Sequence, residues 1–401
     1  MSAKPLRQRV RALLPDLHLG FHPPGRLNSI TDVPGVLVHT TTIRGPPNPD
    51  PARPASVINT GLTAILPRRD WLDSACYAAT HTFNGAGELT GAHWIRETGL
   101  LASPIVLTGT FSVGAAHEGV YRHAIRERAG EDGIADVALL PVVGETYDGF
   151  LNDGAAMAVR PEMVVAAIDA ASADAVPEGN TGGGTGMVTM GFKAGTGSAS
   201  RVVRGAVRGA PRDFVVGALV QSNFGKMNDL HFGSVPVGRV LAREAGEEER
   251  RRRAAGNEDR VGDGSIIAVL ATDAPLHPAQ LRRLAKRATV GLARAGGFGS
   301  NFSGDIFLAF STAAAVEANP AVPEGMTPME AKFVARVDQA VDVVQDATIN
   351  GLFEAAAEAV HESILNALCM AEDTVGPRGN RMDAIDLDKV TRIVERYFSG
   401  I

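Results

Sequence analysis

The step Gly264–Ser265 lies between a densely charged stretch, EEERRRRAAGNEDR (Glu247–Arg260), and the apolar run Ile266–Leu270, which reads as a buried strand. A serine hydroxyl there could be a nucleophile for acyl transfer if a base takes its proton. The same step could equally be no more than the end of a loop. Three other polar runs sit at the ends of predicted strands. GETYDGFLND (Gly144–Asp153) puts Glu145, Tyr147 and Asp148 just after one. VQSNFGKMNDLHFG (Val220–Gly233) does the same with Asn223, and GSNFSGDIFLAF (Gly299–Phe310) places Ser303 and Asp305 at the start of another. Taken singly, each residue is more often a turn or cap residue. Taken together with Ser265 they supply a nucleophile, an amide donor and a carboxylate, gathered at strand ends where sites tend to be built.

The elements that must position them are legible in outline. Val36–Ile43, Leu62–Leu66, Ile105–Thr108, Val137–Val143, Phe214–Val220 and Ile306–Phe310 read as strands. Ser112–Arg128 and Pro161–Ala173 read as helices, the second with proline near its start. Pro278–Arg294 places Leu281, Leu284, Ala288 and Leu292 on one helical face. The last eighty residues read as mainly helical, in MEAKFVARVDQAVDVVQ, LFEAAAEAVHESILNALCMA and LDKVTRIVERYF. GMVTMGF and ASRVVRGAV lie close together and suggest antiparallel hairpins, so the pattern is not a strict β-α alternation. The expected architecture is a sandwich whose sheets are covered by helices. Arg243–Gly264 is the one linker-like region, with Glu247–Arg251, Glu248–Arg252 and Glu249–Arg253 at helical i,i+4 spacing.

Composition narrows the function classes. The 401 residues carry a formal net charge of −6, so there is no electrostatic footprint for nucleic acid. Two cysteines, Cys76 and Cys369, give neither a disulfide framework nor a metal-binding spacing. The N-terminus is basic but lacks an apolar core of signal-peptide length. No run approaches the roughly 18 apolar residues of a membrane span. The expectation is a soluble, cytoplasmic protein. No Gly-x-Ser-x-Gly elbow, Ser-x-x-Lys or His-Glu-x-x-His occurs. His81, His93 and His231 read as structural or surface groups rather than ligands. The glycine-rich NTGGGTGMVTMGFKAGTGS (Asn180–Ser198) lacks the ending of a phosphate-binding loop and reads as tight turns or a close backbone approach.

LNSITDVPGVLVHTT, NGAGELTG, ETYDG, QSNFG, GDGSIIAVLATDAPL and SGDIFLAFST occur in one order that resembles the L-aminopeptidase D-amidase/D-esterase family, relatives of the β-peptidyl aminopeptidases. The resemblance runs from about Arg26 to ILNALCMAEDTVGPRGN near the C-terminus. It implies an αββα four-layer sandwich of the N-terminal-nucleophile hydrolase type, with mixed and antiparallel sheets and the nucleophile on a central strand. It further implies a single catalytic domain that cuts itself between Gly264 and Ser265, leaving an α-chain 1–264 and a β-chain 265–401. By resemblance, Ser265 is the nucleophile, Ser303 and Asp305 orient and tune it, and Asn223 helps hold the oxyanion. Tyr147 lies near the reacting carbonyl, and Glu145 binds the substrate's free ammonium.

The implied substrates are short peptides, aminoacyl amides or esters, with no metal or organic cofactor. The partners are the chain's own two fragments and further copies of itself, a tetramer being common in the family. Phe83 and Ala86 in FNGAGELTG, and the long Arg- and Glu-rich loop, depart from the family pattern and leave substrate choice open. Two other functions remain as alternatives. One is an acyltransferase like the ornithine acetyltransferases, which use threonine where this chain has Ser265. The other is an uncleaved, non-catalytic binding protein, since fold alone does not fix function.

Overall fold

From Ile266 to Ala271 the side chains alternate between two apolar clusters. Ile267, Val269 and Ala271 join one, and Ile266, Ala268 and Leu270 join the other. A strand with this period and no polar face must be covered on both sides. The computed structural model describes residues 6–45, 56–135, 137–245, 264–318, 321–336 and 339–399. Its strands begin with β1 (Leu37–Gly45), β2 (Ile58–Leu66), β3 (Ser74–Gly85), β4 (Leu100–Leu101), β5 (Ile105–Gly109) and β6 (Val142–Thr146). They continue with β7 (Val188–Thr189), β8 (Phe192–Lys193), β9 (Thr196–Val203), β10 (Ala206–Val207), β11 (Ala210–Pro211), β12 (Phe214–Asn223), β13 (Ser265–Thr272) and β14 (Gly304–Glu317).

Two sheets face each other. One has the order β1-β2-β5-β6 and the other β4-β3-β14-β13-β12-β9. The pairs β5–β6 and β13–β14 are parallel, and the remaining pairs within these sheets are antiparallel. Between the sheets, Val38, Ile65, Ile105 and Leu107 meet Ala78, Leu219, Ile267 and Leu308. The outer face of the first sheet packs Leu62, Val106 and Val143 on the helices Val113–Arg128 and Pro161–Asp169. The outer face of the second packs Ala218, Ala268 and Phe307 on Pro278–Ala285, Ala288–Ala295 and Asn350–Cys369. This is the four-layer order helix, sheet, sheet, helix, with β13 inside the larger sheet.

Some expected elements differ. Pro278–Arg294 is two helices, because the chain turns at Lys286–Arg287, where the Arg287 guanidinium lies over the Phe353 ring at 4.1 Å. Val137–Pro141 stays outside β6. Among the described residues of 329–345, helix is confined to the end of the short Pro328–Ala331 segment. Phe333 is exposed, and a short helix without a face to bury is not stable on propensity alone. The charged pairs Glu247–Arg251, Glu248–Arg252 and Glu249–Arg253 lie outside the described residues.

Gly182–Gly184 forms a short 3-10 turn wedged between the sheets. A Cβ on Gly183 would fall 2.6 Å from the Leu107 carbonyl oxygen, and one on Gly184 2.2 Å from the Thr196 nitrogen. The glycines are there because backbone meets backbone. Among the described residues no helix is long and apolar enough to cross a membrane.

Candidate active site

Ser265 is the first residue of β13 and shares a face with Ile267 and Val269, so its side chain points between the sheets at their open end. Both neighbouring strands are in register with it. Asn223, the last residue of β12, pairs directly with Ser265, and Asp305 of β14 pairs with Ile266. Ser265 is 7% exposed, and its Oγ accepts the backbone N–H of Gly304 at 2.9 Å. Gly264 runs so close to β12 that a Cβ there would sit 1.8 Å from the Asn223 carbonyl oxygen. Glycine is the only residue that fits without moving the strand.

On the β14 side, the Ser303 hydroxyl lies 2.7 Å from Asp305 Oδ2 and 2.9 Å from the Ser300 carbonyl. Burial pushes the Asp305 carboxyl up to about 6, against the pull of the Ser303 hydroxyl and the Ile266 backbone N–H. Its other oxygen, Oδ1, is buried without a hydrogen-bond partner. The turn that carries Ser303 is clamped by Asn84, whose Nδ2 donates to the carbonyls of Ser300 and Ser303 at 2.7 and 2.5 Å. Sequence reasoning did not single out Asn84. It lies in the FNGAGELTG stretch, where nothing in one sequence separates a clamp from a turn asparagine.

On the β12 side, the orientation of the Asn223 amide is fixed at both ends. Oδ1 accepts the Val188 N–H at 2.9 Å, and Nδ2 donates to the Tyr147 carbonyl at 3.0 Å. A flipped amide would face a donor with a donor and an acceptor with an acceptor. One hydrogen of Nδ2 remains for another acceptor. The tight β7–β8 hairpin supplies the Val188 donor, turning through Met190 and Gly191, both at positive φ.

The other sheet contributes Glu145 from the end of β6. It is buried, and each oxygen accepts one bond: Oε1 from the Glu88 N–H at 3.0 Å, and Oε2 from the Thr110 hydroxyl. Burial raises its pKa. The two donors oppose that rise, and the neighbouring Glu88 adds to it. Among the described residues, no lysine, arginine or histidine forms an ion pair with Glu145. The Ala86–Thr90 loop ties it to the other sheet: the Ala86 N–H donates to the Ser303 carbonyl at 3.0 Å, and the Thr90 N–H to the Val143 carbonyl at 2.9 Å.

Tyr147, half exposed, meets the Phe111 ring edge-on at 6.2 Å. Asp148 is instead turned inward, where it takes the Thr60 hydroxyl at 2.7 Å and burial raises its pKa. The residues singled out in the sequence thus converge, Ser265, Asn223, Ser303 and Asp305 from one sheet and Glu145 and Tyr147 from the end of the other.

The one described group of histidine and acidic side chains close enough to share a metal is His22, Glu354 and Glu358. It sits on other elements, and Glu358 is already spent on Arg201 and on the N–H groups of Phe21 and His22. What Ser265 and its neighbours can do chemically needs no such group. A hydroxyl, a second hydroxyl bonded to a carboxylate, an aimed amide N–H and a buried carboxylate without an ion pair among the described residues are groups that can carry out acyl transfer on a cationic substrate.

Comparison with known proteins gives the family. A β-peptidyl aminopeptidase, BapA, of Sphingosinicella microcystinivorans is 40% identical over 383 residues, covering 93% of this chain and 89% of that one. The solved β-aminopeptidase of a Burkholderia species is 40% identical with a TM-score of 0.80, over 97% of this chain and 99% of the other. The L-aminopeptidase D-Ala-esterase/amidase of Ochrobactrum anthropi, described as a prototype serine aminopeptidase with a variant Ntn-hydrolase fold, is 38% identical at a TM-score of 0.81, with the same coverage. Neither an acyltransferase nor a binding protein is among these relatives. The model of peptidase family S58 matches residues 28–382, and the chain belongs to that family, a hydrolase with aminopeptidase activity on an Ntn-hydrolase-type sandwich.

Proposed function

We propose that this aminopeptidase is a self-processing serine enzyme that uses Ser265 as an N-terminal nucleophile. Its substrates are short peptides, aminoacyl amides and esters with a free amino group. The observation that carries this reading is the position of Ser265. It opens an interior strand, with Asn223 beside it on one side and the Gly304 N–H and the Ser303–Asp305 pair on the other.

In the precursor, Ser265 Oγ attacks the Gly264 carbonyl carbon. The bond to the Ser265 nitrogen breaks, and that nitrogen takes up a proton. Water then hydrolyses the resulting ester, giving chains 1–264 and 265–401 and freeing the α-amino group of Ser265. An α-amine has an unperturbed pKa of about 7.7–8.0, which suits proton transfer near neutrality. In turnover it takes the proton from Oγ as Oγ attacks the substrate carbonyl. The free N–H of Asn223 receives the developing oxyanion, the amine or alcohol leaves with a proton, and water releases the acid from the ester on Ser265.

Glu145 holds the substrate's ammonium. A buried carboxylate bonded only to neutral donors lacks the counter-ion that such a group ordinarily has. Tyr147 stands beside the reacting carbonyl, and Ser303 with Asp305 orients the nucleophile. The whole chain acts as one catalytic domain. The working form is a cytoplasmic tetramer of cleaved chains, without metal or organic cofactor.

The test is a denaturing gel with N-terminal sequencing of wild type and Ser265→Ala. Two wild-type fragments, one starting Ser-Ile-Ile-Ala-Val, beside an intact and inactive variant are expected. A wild-type chain that stays whole yet hydrolyses aminoacyl amides would overturn the mechanism.

A further inference from the structure

We propose that Thr110 is the positioning residue of the amine anchor, its hydroxyl fixing which face of the Glu145 carboxylate is offered to the substrate's ammonium. The inference rests on the proposed role of Glu145. Thr110 follows β5 directly, and the parallel β5–β6 register, with Thr108 opposite Glu145 and Gly109 opposite Thr146, brings it beside the end of β6. Its Oγ1 donates to Glu145 Oε2, and the Glu88 N–H donates to Oε1 at 3.0 Å. A carboxylate oxygen has two lone-pair sites, so each oxygen keeps one after these bonds. The two remaining sites are open to further donors, and one ammonium group can give a hydrogen to each.

The two donors are not equivalent. The Glu88 N–H belongs to a loop held between the two sheets: its Ala86 N–H reaches the Ser303 carbonyl, while the Glu88 carbonyl takes the Glu145 N–H at 3.2 Å. The Thr110 hydroxyl belongs to the Glu145 sheet, and its 3-10 turn, Thr110–Ser112, also carries Phe111 against Tyr147. Without that hydroxyl the carboxylate is fastened on one oxygen only. It can turn about χ3 and spend its free lone pairs on water rather than on the incoming cation. Such a loss falls on the binding of amine-bearing substrates rather than on the acyl chemistry at Ser265.

The test compares a p-nitroanilide with a free amino group and the ester of the corresponding des-amino acid, on wild type, Thr110→Val, Thr110→Ser and Glu145→Gln, all checked for cleavage and for melting temperature. Thr110→Val is expected to raise KM for the amine substrate about tenfold with a smaller change in kcat. The preference for the amine substrate over the des-amino ester should shrink by a similar factor. Thr110→Ser should restore most of both. If Glu145→Gln collapses the preference while Thr110→Val leaves it intact, the role of Thr110 is wrong and that of Glu145 stands. If Glu145→Gln also leaves the preference intact, the ammonium site lies elsewhere and both fall. A Thr110→Val chain that loses kcat on both substrates equally, unrescued by serine, would reduce Thr110 to a packing residue.

Discussion

Ser303 donates its hydroxyl to Asp305 Oδ2 at 2.7 Å, and the second oxygen of the same carboxylate is buried without a partner. A half-satisfied, desolvated carboxylate resists ionisation, which is why its pKa stands at about 6. Asp305 accepts the Ser303 hydroxyl, and the orienting role proposed for the pair needs that acceptor ionised, so kcat/KM should rise with pH through about 6. The stability effect has the opposite sign. Between the unfolded value of about 3.9 and the folded one, the native chain binds more protons than the unfolded chain, so stability falls as pH rises through that window. Asp305→Asn should therefore lose most activity, flatten the decline in melting temperature between pH 4 and 7, and melt higher than wild type at pH 8. Identical melting curves for both chains across that range would refute the account.

Asn223 is aimed from both ends, by the Val188 N–H on Oδ1 and the Tyr147 carbonyl on Nδ2. Removing one oxyanion donor commonly costs about 10²–10³ in kcat. Asn223→Ala is expected to fall in that range with KM changed far less, measured on cleaved enzyme. Asn223→Asp should be worse, because an acceptor then faces the Tyr147 carbonyl and the oxyanion. A KM-only effect for the alanine variant would move Asn223 from transition-state stabilisation to substrate binding.

The Gly264 backbone lies against β12, and an added Cβ would meet the Asn223 carbonyl oxygen at 1.8 Å. Gly264→Ala must therefore displace the Gly264–Ser265 peptide, the proposed cleavage site, from the strand beside Ser265. The expected result is a folded precursor that cleaves at least tenfold more slowly, followed by gel densitometry over time. Cleavage at the wild-type rate would mean that the alignment of this peptide bond is not what limits processing.

Much of this arrangement was legible in the sequence. The site residues lie where polar groups interrupt apolar runs, as at Asn223 after FVVGALV and Ser303 before IFLAF, and such junctions survive translation into three dimensions. Strand β3 was not legible. SACYAATHTFNG is alanine-, serine- and threonine-rich, and only burial between neighbours makes it a strand. The helix break at Lys286–Arg287 was also hidden, because the apolar spacing continues through it. Thr110 and Asn84 act through contacts with residues that the fold alone brings near, Glu145 and Ser303.

The last prediction concerns the contact that joins the two halves of the site. Gly304 gives its N–H to Ser265 Oγ, and a Cβ on Gly304 would lie 2.6 Å from Gly87 Cα and 2.8 Å from the Ala86 carbonyl oxygen. Gly87 is in turn close to Glu145: a Cβ there would come within 3.3 Å of Oε1. The loop that supports Glu145 thus rests on the residue that holds Ser265. Gly304→Ala must push that loop outward, loosening the Glu88 N–H from Glu145 and the Ser265 hydroxyl from its donor together. A displacement of about 1 Å at a reacting centre can cost about 10²-fold. The variant should lose about that factor in kcat/KM on amine substrates, with kcat and KM both impaired, while its secondary structure by circular dichroism stays that of wild type. If only kcat falls and the preference for the amine substrate is untouched, the nucleophile and the anchor are supported independently, and the loop does not couple them.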